Sequence, residues 1–261
     1  MSRVQPPAEP RLRVTSYGAT DVGRKRTTNE DALLCDDSLG LYMVADGMGG
    51  HAAGEVASQE AIETTFGMVK QGLRALPRLA GELTDERARA ACRLLEGAVQ
   101  AATYMVFAMG EYDRDKSGMG TTVSALMVLG DYAVTAQVGD SRIYHVREKR
   151  VVQVTEDHTL ISWQLKQGLI TPQDAERSPH RNVITRAVGN HEYVEVDTGL
   201  LSLAPGDQFL LCSDGLHGYL HEYEIYNIIS LGPTTAVERF IELANDRGGK
   251  DNITAIVVEI G

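Results

Sequence analysis

Apolar runs in this chain repeatedly stop at an aspartate. Residues 41–45 lead into Asp46-Gly47, residues 209–212 into Ser213-Asp214-Gly215, and residues 136–138 into Gly139-Asp140, while Asp251-Asn252 stands just ahead of a further apolar run. Taken singly, Asp-Gly and Gly-Asp are turn dipeptides. Held together at the ends of neighbouring strands, the same carboxylates repel one another strongly unless something cationic lies between them. An all-oxygen ligand set suits a hard divalent cation such as magnesium or manganese rather than zinc or copper. The segment Asp46-Gly47-Met48-Gly49-Gly50-His51 extends the pattern. Its glycines let the backbone come close to a ligand, and a glycine carbonyl can itself coordinate a hard metal. Directly after it a helix is expected, whose first N–H groups favour an anion. Upstream, Arg26-Thr27-Thr28-Asn29-Glu30-Asp31 has two readings. Extended, it puts Arg26 and Glu30 on one side and Asp31 on the other, so that a phosphate-binding guanidinium shares a face with one acid. The alternative is a solvated polar turn.

The elements that would hold these residues follow from periodicity. Strands are expected at 12–16, 32–35 and 41–45. Helical spacing then takes over at 52–69 and 84–109, with Leu94, Ala98, Ala102, Met105 and Met109 on one face and a connection around Pro77. Thr84 opens the second helix as a cap, with Arg87 where Glu or Gln would complete a capping box. Strands at 122–129, 132–138, 142–147 and 151–155 come next, joined by tight connections at Gly130-Asp131 and around 148–150, which implies antiparallel pairing. Residues 159–190 read as a partly helical excursion, with Thr171-Pro172 as a turn or helix start. A strand at 209–212, helices at 223–230 and 235–245, and a closing strand at 253–260 complete the chain. Strands in runs with helices in blocks predict antiparallel sheets covered by helices. We expect a flexible tail at 1–11 and one domain over 12–261.

Composition narrows the partners. The 261 residues carry 36 Asp plus Glu against 25 Lys plus Arg, a net charge of −11, which disfavours nucleic acid and anionic membrane surfaces. A hydrophobic fraction of 43% is that of a soluble globular protein. No apolar run has membrane-spanning length and the N-terminus lacks a signal-peptide pattern, so a cytoplasmic location is expected. Cys35, Cys92 and Cys212 are too far apart for a disulfide framework or a zinc set.

Seven motifs now stand in a recognisable order: Arg26 to Asp31, Val44 to His51, Gly120-Thr121-Thr122, Gly139-Asp140-Ser141-Arg142, Thr155-Glu156-Asp157-His158, Cys212-Ser213-Asp214-Gly215-Leu216 and Asp251-Asn252-Ile253-Thr254. From about Arg13 to Ile260 the chain resembles the bacterial type 2C, metal-dependent (PPM) protein serine/threonine phosphatases. The resemblance implies an α+β fold, an α-β-β-α sandwich of two mainly antiparallel sheets flanked by helix pairs. It also implies a site for two Mn2+ or Mg2+ ions, with a third at Asp140, shared with Asp214. Asp46 would bridge both metals, the Gly47 carbonyl would bind one, Asp214 and Asp251 would hold the other, and Asp31 would act at the second directly or through water. Arg26 matches the substrate-phosphate arginine, and 159–190 the flap beside the active site. The implied reaction is hydrolysis of phosphoserine and phosphothreonine on proteins by a metal-bridging hydroxide in line, without a covalent intermediate. The partners are then phosphorylated proteins, substrates of a cognate serine/threonine kinase. In the animal branch a histidine follows the Asp-Gly pair directly; here Met48 takes that place and His51 fits the bacterial pattern for the general acid, with His158 as the alternative.

Other readings fare worse. No cysteine has arginine at the spacing of a cysteine-dependent phosphatase loop. Gly189-Asn190-His191-Glu192 matches one motif of the calcineurin-like metallophosphoesterases, whose companion motifs are missing. Met48 breaks the glycine pattern of a histidine-kinase-type ATP site. A catalytically silent binder of phosphorylated partners is the alternative from a different class, and the full acidic set argues against it.

Overall fold

Strands that are apolar on both faces must be covered on both sides, and several strands here have that character. A computed structural model describes residues 12–49, 53–75, 84–180 and 182–261. The expected tail at 1–11, His51 and the connection around Pro77 lie outside the described residues. In order, the elements are β1 (Val14–Asp21), β2 (Asp31–Asp36), β3 (Leu41–Met48), α1 (Ala53–Ala75), α2 (Asp85–Tyr112), a 3-10 turn (Arg114–Lys116), β4 (Gly120–Thr121), β5 (Val123–Leu129), β6 (Tyr132–Val138), β7 (Arg142–Arg147), β8 (Arg150–Gln153), α3 (Leu160–Lys166), α4 (Pro172–Arg177), β9 (Asp197–Ser202), β10 (Gln208–Cys212), α5 (Asp214–His217), α6 (Glu222–Ile229), α7 (Pro233–Asp246) and β11 (Ile253–Ile260).

Two antiparallel sheets result. One runs β1-β11-β10-β7-β8; the other runs β2-β3-β5-β6-β9, with β4 paired to β3. Period-2 alternation sorts the side chains of the central strands between two apolar layers. Tyr42 and Val44, Leu126, Phe209 and Leu211, and Ile256 and Val258 meet between the sheets. The opposite faces bind helices: Met43, Ala45, Ala125 and Met127 pack with Ala57, Ala61, Leu95 and Ala98 of α1 and α2, and Leu210, Cys212, Ala255 and Val257 pack with Ile225, Val237 and Phe240 of α6 and α7. The result is the expected α-β-β-α sandwich.

Most boundaries match the sequence pattern; β1 runs on to Asp21 where the strand was expected to end at 16, the short β4 and α5 were not expected, and three further differences stand out. α1 extends beyond the expected helix, to Ala75. β9 was not expected from the sequence: it is an edge strand whose residues are alternately half-buried and exposed, with Gly199 at its centre, so its apolar signal is weak. Residues 22–30 form turns and bends rather than the extended reading offered for Arg26 to Asp31. The helix caps agree with the sequence. Thr84 accepts from the Arg87 N–H, and Thr171 with Asp174 forms a complete capping box. At the β7–β8 connection Glu148 and Lys149 take φ of 50° and 68°, as a two-residue hairpin with right-handed strand twist requires. Among the described residues no helix is long and apolar enough to cross a membrane.

The inter-sheet layer fixes where the strand ends lie, so its integrity is testable. Leu211→Ala, at a fully buried inter-sheet position, is expected to lower unfolding stability by about 2–5 kcal/mol. Leu200→Ala, on the half-exposed edge strand, should change it by under about 1 kcal/mol. Urea unfolding monitored by circular dichroism compares the two, and equal losses would contradict the layered core.

Candidate metal centre

The aspartates meet because strand ends from both sheets face one another. Asp31 and Asp46 are direct partners across β2 and β3. Asp140 follows β6, Asp214 opens α5 just after β10, and Asp251 precedes β11. Around them, side chains from the same motifs bind the backbone. The Asp46 carbonyl accepts from the Thr122 N–H and the Thr121 hydroxyl, both at 2.9 Å, while the Asp46 N–H donates to Thr122 Oγ1 at 2.9 Å. Thr122 Oγ1 in turn lies 2.8 Å from Ser141 Oγ, which ties the β5 entrance to the loop carrying Asp140. Ser213 Oγ and Thr254 Oγ1 donate to Asp31 Oδ2 at 2.8 and 2.5 Å, and the Thr254 N–H donates to Ser213 Oγ at 3.0 Å. Asn252 clamps the loop at 22–30, donating from Nδ2 to the Val22 and Thr28 carbonyls and accepting at Oδ1 from the Glu30 N–H.

Two glycines are required by close approach. A Cβ on Gly47 would stand 2.1 Å from the Gly54 carbonyl oxygen in the first turn of α1, and one on Gly215 would stand 1.9 Å from the Asn252 carbonyl oxygen. Backbone therefore touches backbone at both places, which lets α1 and α5 begin directly against the acidic cluster.

Electrostatics shows how crowded the carboxylates are. Burial, then repulsion from Asp31, Asp214, Asp140 and Asp251, holds the Asp46 carboxyl well above its usual range. Asp31 is pushed up to about 7 by burial, against the lowering hydrogen bonds from Thr254 and Ser213 and with repulsion from Asp214 and Asp251. Asp140 rises to about 7 through burial and the charges of Asp214 and Asp157. Asp214 is raised by burial and Asp251, with a hydrogen bond from Asp46 acting the other way. Arg26 donates from Nη2 to Asp251 Oδ2 at 2.7 Å, which brings a cation to the edge of the group. Among the described residues no three His, Cys, Asp or Glu side chains already close into a ligand cage. With one Asp31 oxygen turned to Ser213 and Thr254 and Asp251 paired to Arg26, coordination would need small side-chain shifts, carbonyl oxygens and waters. The donor chemistry fits a hard divalent cation: among the described residues the converging side chains of the cluster are carboxylates, and their mutual repulsion is what a dication relieves.

A family model described as protein phosphatase 2C matches residues 22–255. The chain belongs to the protein phosphatase 2C family. It is similar to the serine/threonine phosphatase stp of Listeria monocytogenes serotype 4b (strain F2365), at 37% identity over 92% of this chain and 93% of that one. It is similar also to the serine/threonine protein phosphatase PstP of Mycobacterium tuberculosis, at 36% identity over 95% of this chain and 45% of that longer protein. Among solved structures, the catalytic domain of PstP in complex with two manganese ions superposes with a TM-score of 0.81 at 33% identity, covering 95% of this chain and 99% of that one. As a member of the protein phosphatase 2C family this chain is a metal-dependent serine/threonine protein phosphatase.

Within that family assignment, the structure sorts the remaining candidates. Asp31, Asp46, Gly47, Asp140, Asp214, Asp251 and Arg26 are brought together; His51 lies outside the described residues. His158, the alternative acid, has both ring nitrogens engaged. Nδ1 accepts from the Gly139 N–H at 3.1 Å, which leaves the proton on Nε2, 3.1 Å from Asp197 Oδ2. Burial also lowers its pKa. It is a tie between the start of 159–190 and the Asp140 loop, not a free proton donor. His217, which has no place in the sequence motifs above, donates from Nε2 to the Asp140 carbonyl at 2.9 Å, and burial lowers its pKa to about 3, so it stays neutral. Burial pushes the Cys212 thiol up to about 12 and Cys35 up to about 11, which removes both as thiolate nucleophiles. Sequence reasoning also missed Ser213, Thr254 and Asn252 as positioning groups; their one signal is position, directly beside the motif aspartates or one turn of chain away.

The raised carboxyls link protons, metal and stability. Their folded pKa values exceed the unfolded ones, so the folded chain keeps protons the unfolded chain has lost, and this stabilisation disappears as pH rises through about 7. Between about pH 5 and pH 8 chelator-treated protein is expected to lose thermal stability, and Mn2+ should raise the unfolding midpoint more at the upper pH, where fewer protons compete. Thermal scans with and without Mn2+ check this. An Mn2+ effect of equal size at both pH values would place the ion away from these carboxylates.

Proposed function

We propose that this chain hydrolyses phosphoserine and phosphothreonine on proteins at the acidic cluster, with Asp46, Asp214, Asp251 and the Gly47 carbonyl holding two divalent cations. Asp31 contributes at the second position, and Asp140 with Asp214 offers a third. The observation that carries this reading is the convergence of Asp31, Asp46, Asp140, Asp214 and Asp251 from the strand ends of both sheets, where their mutual repulsion, which holds four of the five carboxyls above their usual range, is what a dication relieves. Bound divalent cations would supply charge neutralisation at the phosphoryl oxygens and an acidified water.

The chain's own residues do the rest. Arg26, exposed and at the rim of the cluster, would bind the phosphoryl oxygens through its planar fork, exchanging Asp251 for the incoming anion. Thr121 and Thr122 fix the Asp46 backbone, which sets the position from which its carboxylate reaches the cluster. Asn252 sets the loop that presents Arg26. Water attack needs no protein nucleophile, which agrees with the inert thiols. His51 is the general acid assigned to the seryl or threonyl leaving oxygen. Residues 159–190 act as a flap beside the site, held at its base by His158. The substrates are phosphorylated proteins of a cognate kinase, encountered in the cytoplasm.

Two substitutions test this reading with p-nitrophenyl phosphate and a phosphothreonine peptide, each with Mn2+ and with EDTA. Asp46→Asn should abolish metal-dependent turnover while circular dichroism stays that of the parent. Arg26→Ala should lower kcat/KM roughly 10- to 100-fold, the loss of a charge-assisted hydrogen bond. Turnover in EDTA, or an active Asp46→Asn protein, would overturn the metal mechanism.

A further inference from the structure

The chain is acidic overall, yet the rim of the carboxylate cluster is not. Residues 23–26 and 247–250 hold Arg24, Lys25, Arg26, Arg247 and Lys250, five of the 25 basic residues, with no acid among those eight positions. The fold lays the two segments side by side: the Arg24 N–H donates to the Gly249 carbonyl at 2.7 Å, and the Arg24 side-chain stem passes within 2.8 Å of where a Gly249 Cβ would stand. Arg26 is paired with Asp251 and Arg247 with Glu224. Arg24, Lys25 and Lys250 are exposed, and among the described residues none of them makes an ion pair. Nearby acids are engaged elsewhere. Asp21 accepts from the Gly23 N–H and Asn245 Nδ2, and Glu224 takes both arms of Arg247. Asp246, exposed at the end of α7, and Glu30, whose charge reaches Arg26, offset the cations in part.

Three cations beside the phosphate-binding arginine contribute no ion pair to the fold. Like charges clustered on a surface of opposite net sign raise the local concentration of anions and orient them. A phosphoryl group on Arg26 would leave the adjoining residues of its own peptide lying over this rim. We propose that Arg24, Lys25 and Lys250 select phosphopeptides whose residues flanking the phosphorylated serine or threonine are acidic. This rests on the phosphatase reading given above and adds the substrate class of the same site. The three residues touch no reacting atom and act on specificity alone.

The test uses two phosphothreonine peptides, one with Asp and Glu on both sides of the phosphoresidue and one with Gln and Ser there. With Mn2+, kcat/KM should favour the acidic peptide by about tenfold, a few-fold per exposed pair. The preference should collapse near 1 M salt, where the screening length is about 3 Å. In the combined Arg24→Gln, Lys25→Gln, Lys250→Gln protein the ratio should fall to about one, with p-nitrophenyl phosphate turnover unchanged. The charge-conserving Arg24→Lys protein should keep the preference. Fluorescence anisotropy of the labelled peptides reads the same selectivity as binding, without turnover. Absence of all turnover would then count against the phosphatase reading, while equal affinities for the two peptides would overturn the rim assignment. A triple variant that retains the preference would overturn it as well.

Discussion

Repulsion among five carboxylates is the constraint around which the rest of this molecule is arranged. Asp31, Asp46, Asp140, Asp214 and Asp251 come from strand ends in two different sheets, and each of the first four is held at a protonation balance it would not adopt in water. Local hydrogen bonds alone do not keep such groups together. What does so is the covalent and packed frame behind them: an inter-sheet layer of Tyr42, Val44, Leu126, Phe209, Leu211 and Ile256, fully buried and interdigitated, that leaves the strand ends no freedom to splay. Hydrophobic burial here holds in place an electrostatic cost that a bound dication relieves.

A second set of bonds converts that frame into local precision. Hydroxyl and amide side chains fasten the aspartates and the loops beside them: Thr121 and Thr122 at Asp46, Ser213 and Thr254 at Asp31, Asn252 across the 22–30 loop. Asn252 satisfies two carbonyls and one N–H of a segment without regular structure, groups that would otherwise be left unpaired in a partly buried place. The same economy explains Gly47 and Gly215, where helix starts and strand ends touch through backbone alone. His217 and His158 belong to this set as well, both neutral and both fastened to the Gly139-Asp140 loop.

How much of this could be read beforehand divides along physical lines. The strands and long helices were legible because their apolar faces are wide and periodic, and the site aspartates were legible because a carboxylate at a strand end beside glycine has few structural uses. The family resemblance extended that reading over seven motifs, Arg26 included. What could not be read depends on partners far away in sequence. Ser213 meets Asp31 across 182 positions and Thr254 meets it across 223, so no local pattern announces either bond. β9 was hidden because an edge strand covered on one face carries half the apolar signal. The turn at 22–30 was ambiguous because its conformation depends on Asn252, 222 to 230 positions away, as well as on its own residues.

Arg26 shows why the acidic interior and the basic rim are compatible. Its guanidinium donates to Asp251 at 2.7 Å, and that bond, with the charges of Asp251, Glu30 and Asp46 behind it, raises its pKa further above an already high value. An arginine so placed is always charged and presents a planar fork. A phosphoryl group offers oxygens at the spacing a carboxylate offers, so replacing Asp251 by phosphate exchanges one charge-assisted pair for another and leaves no donor stranded. A lysine would meet the anion as a point charge, without the fork. On the proposed function, the negative cluster that repels phosphate when bare would be approached through a residue already oriented by one of its own carboxylates, and an exchange of partners at Arg26 would make the interior's need for cations and the rim's attraction for anions one electrostatic problem.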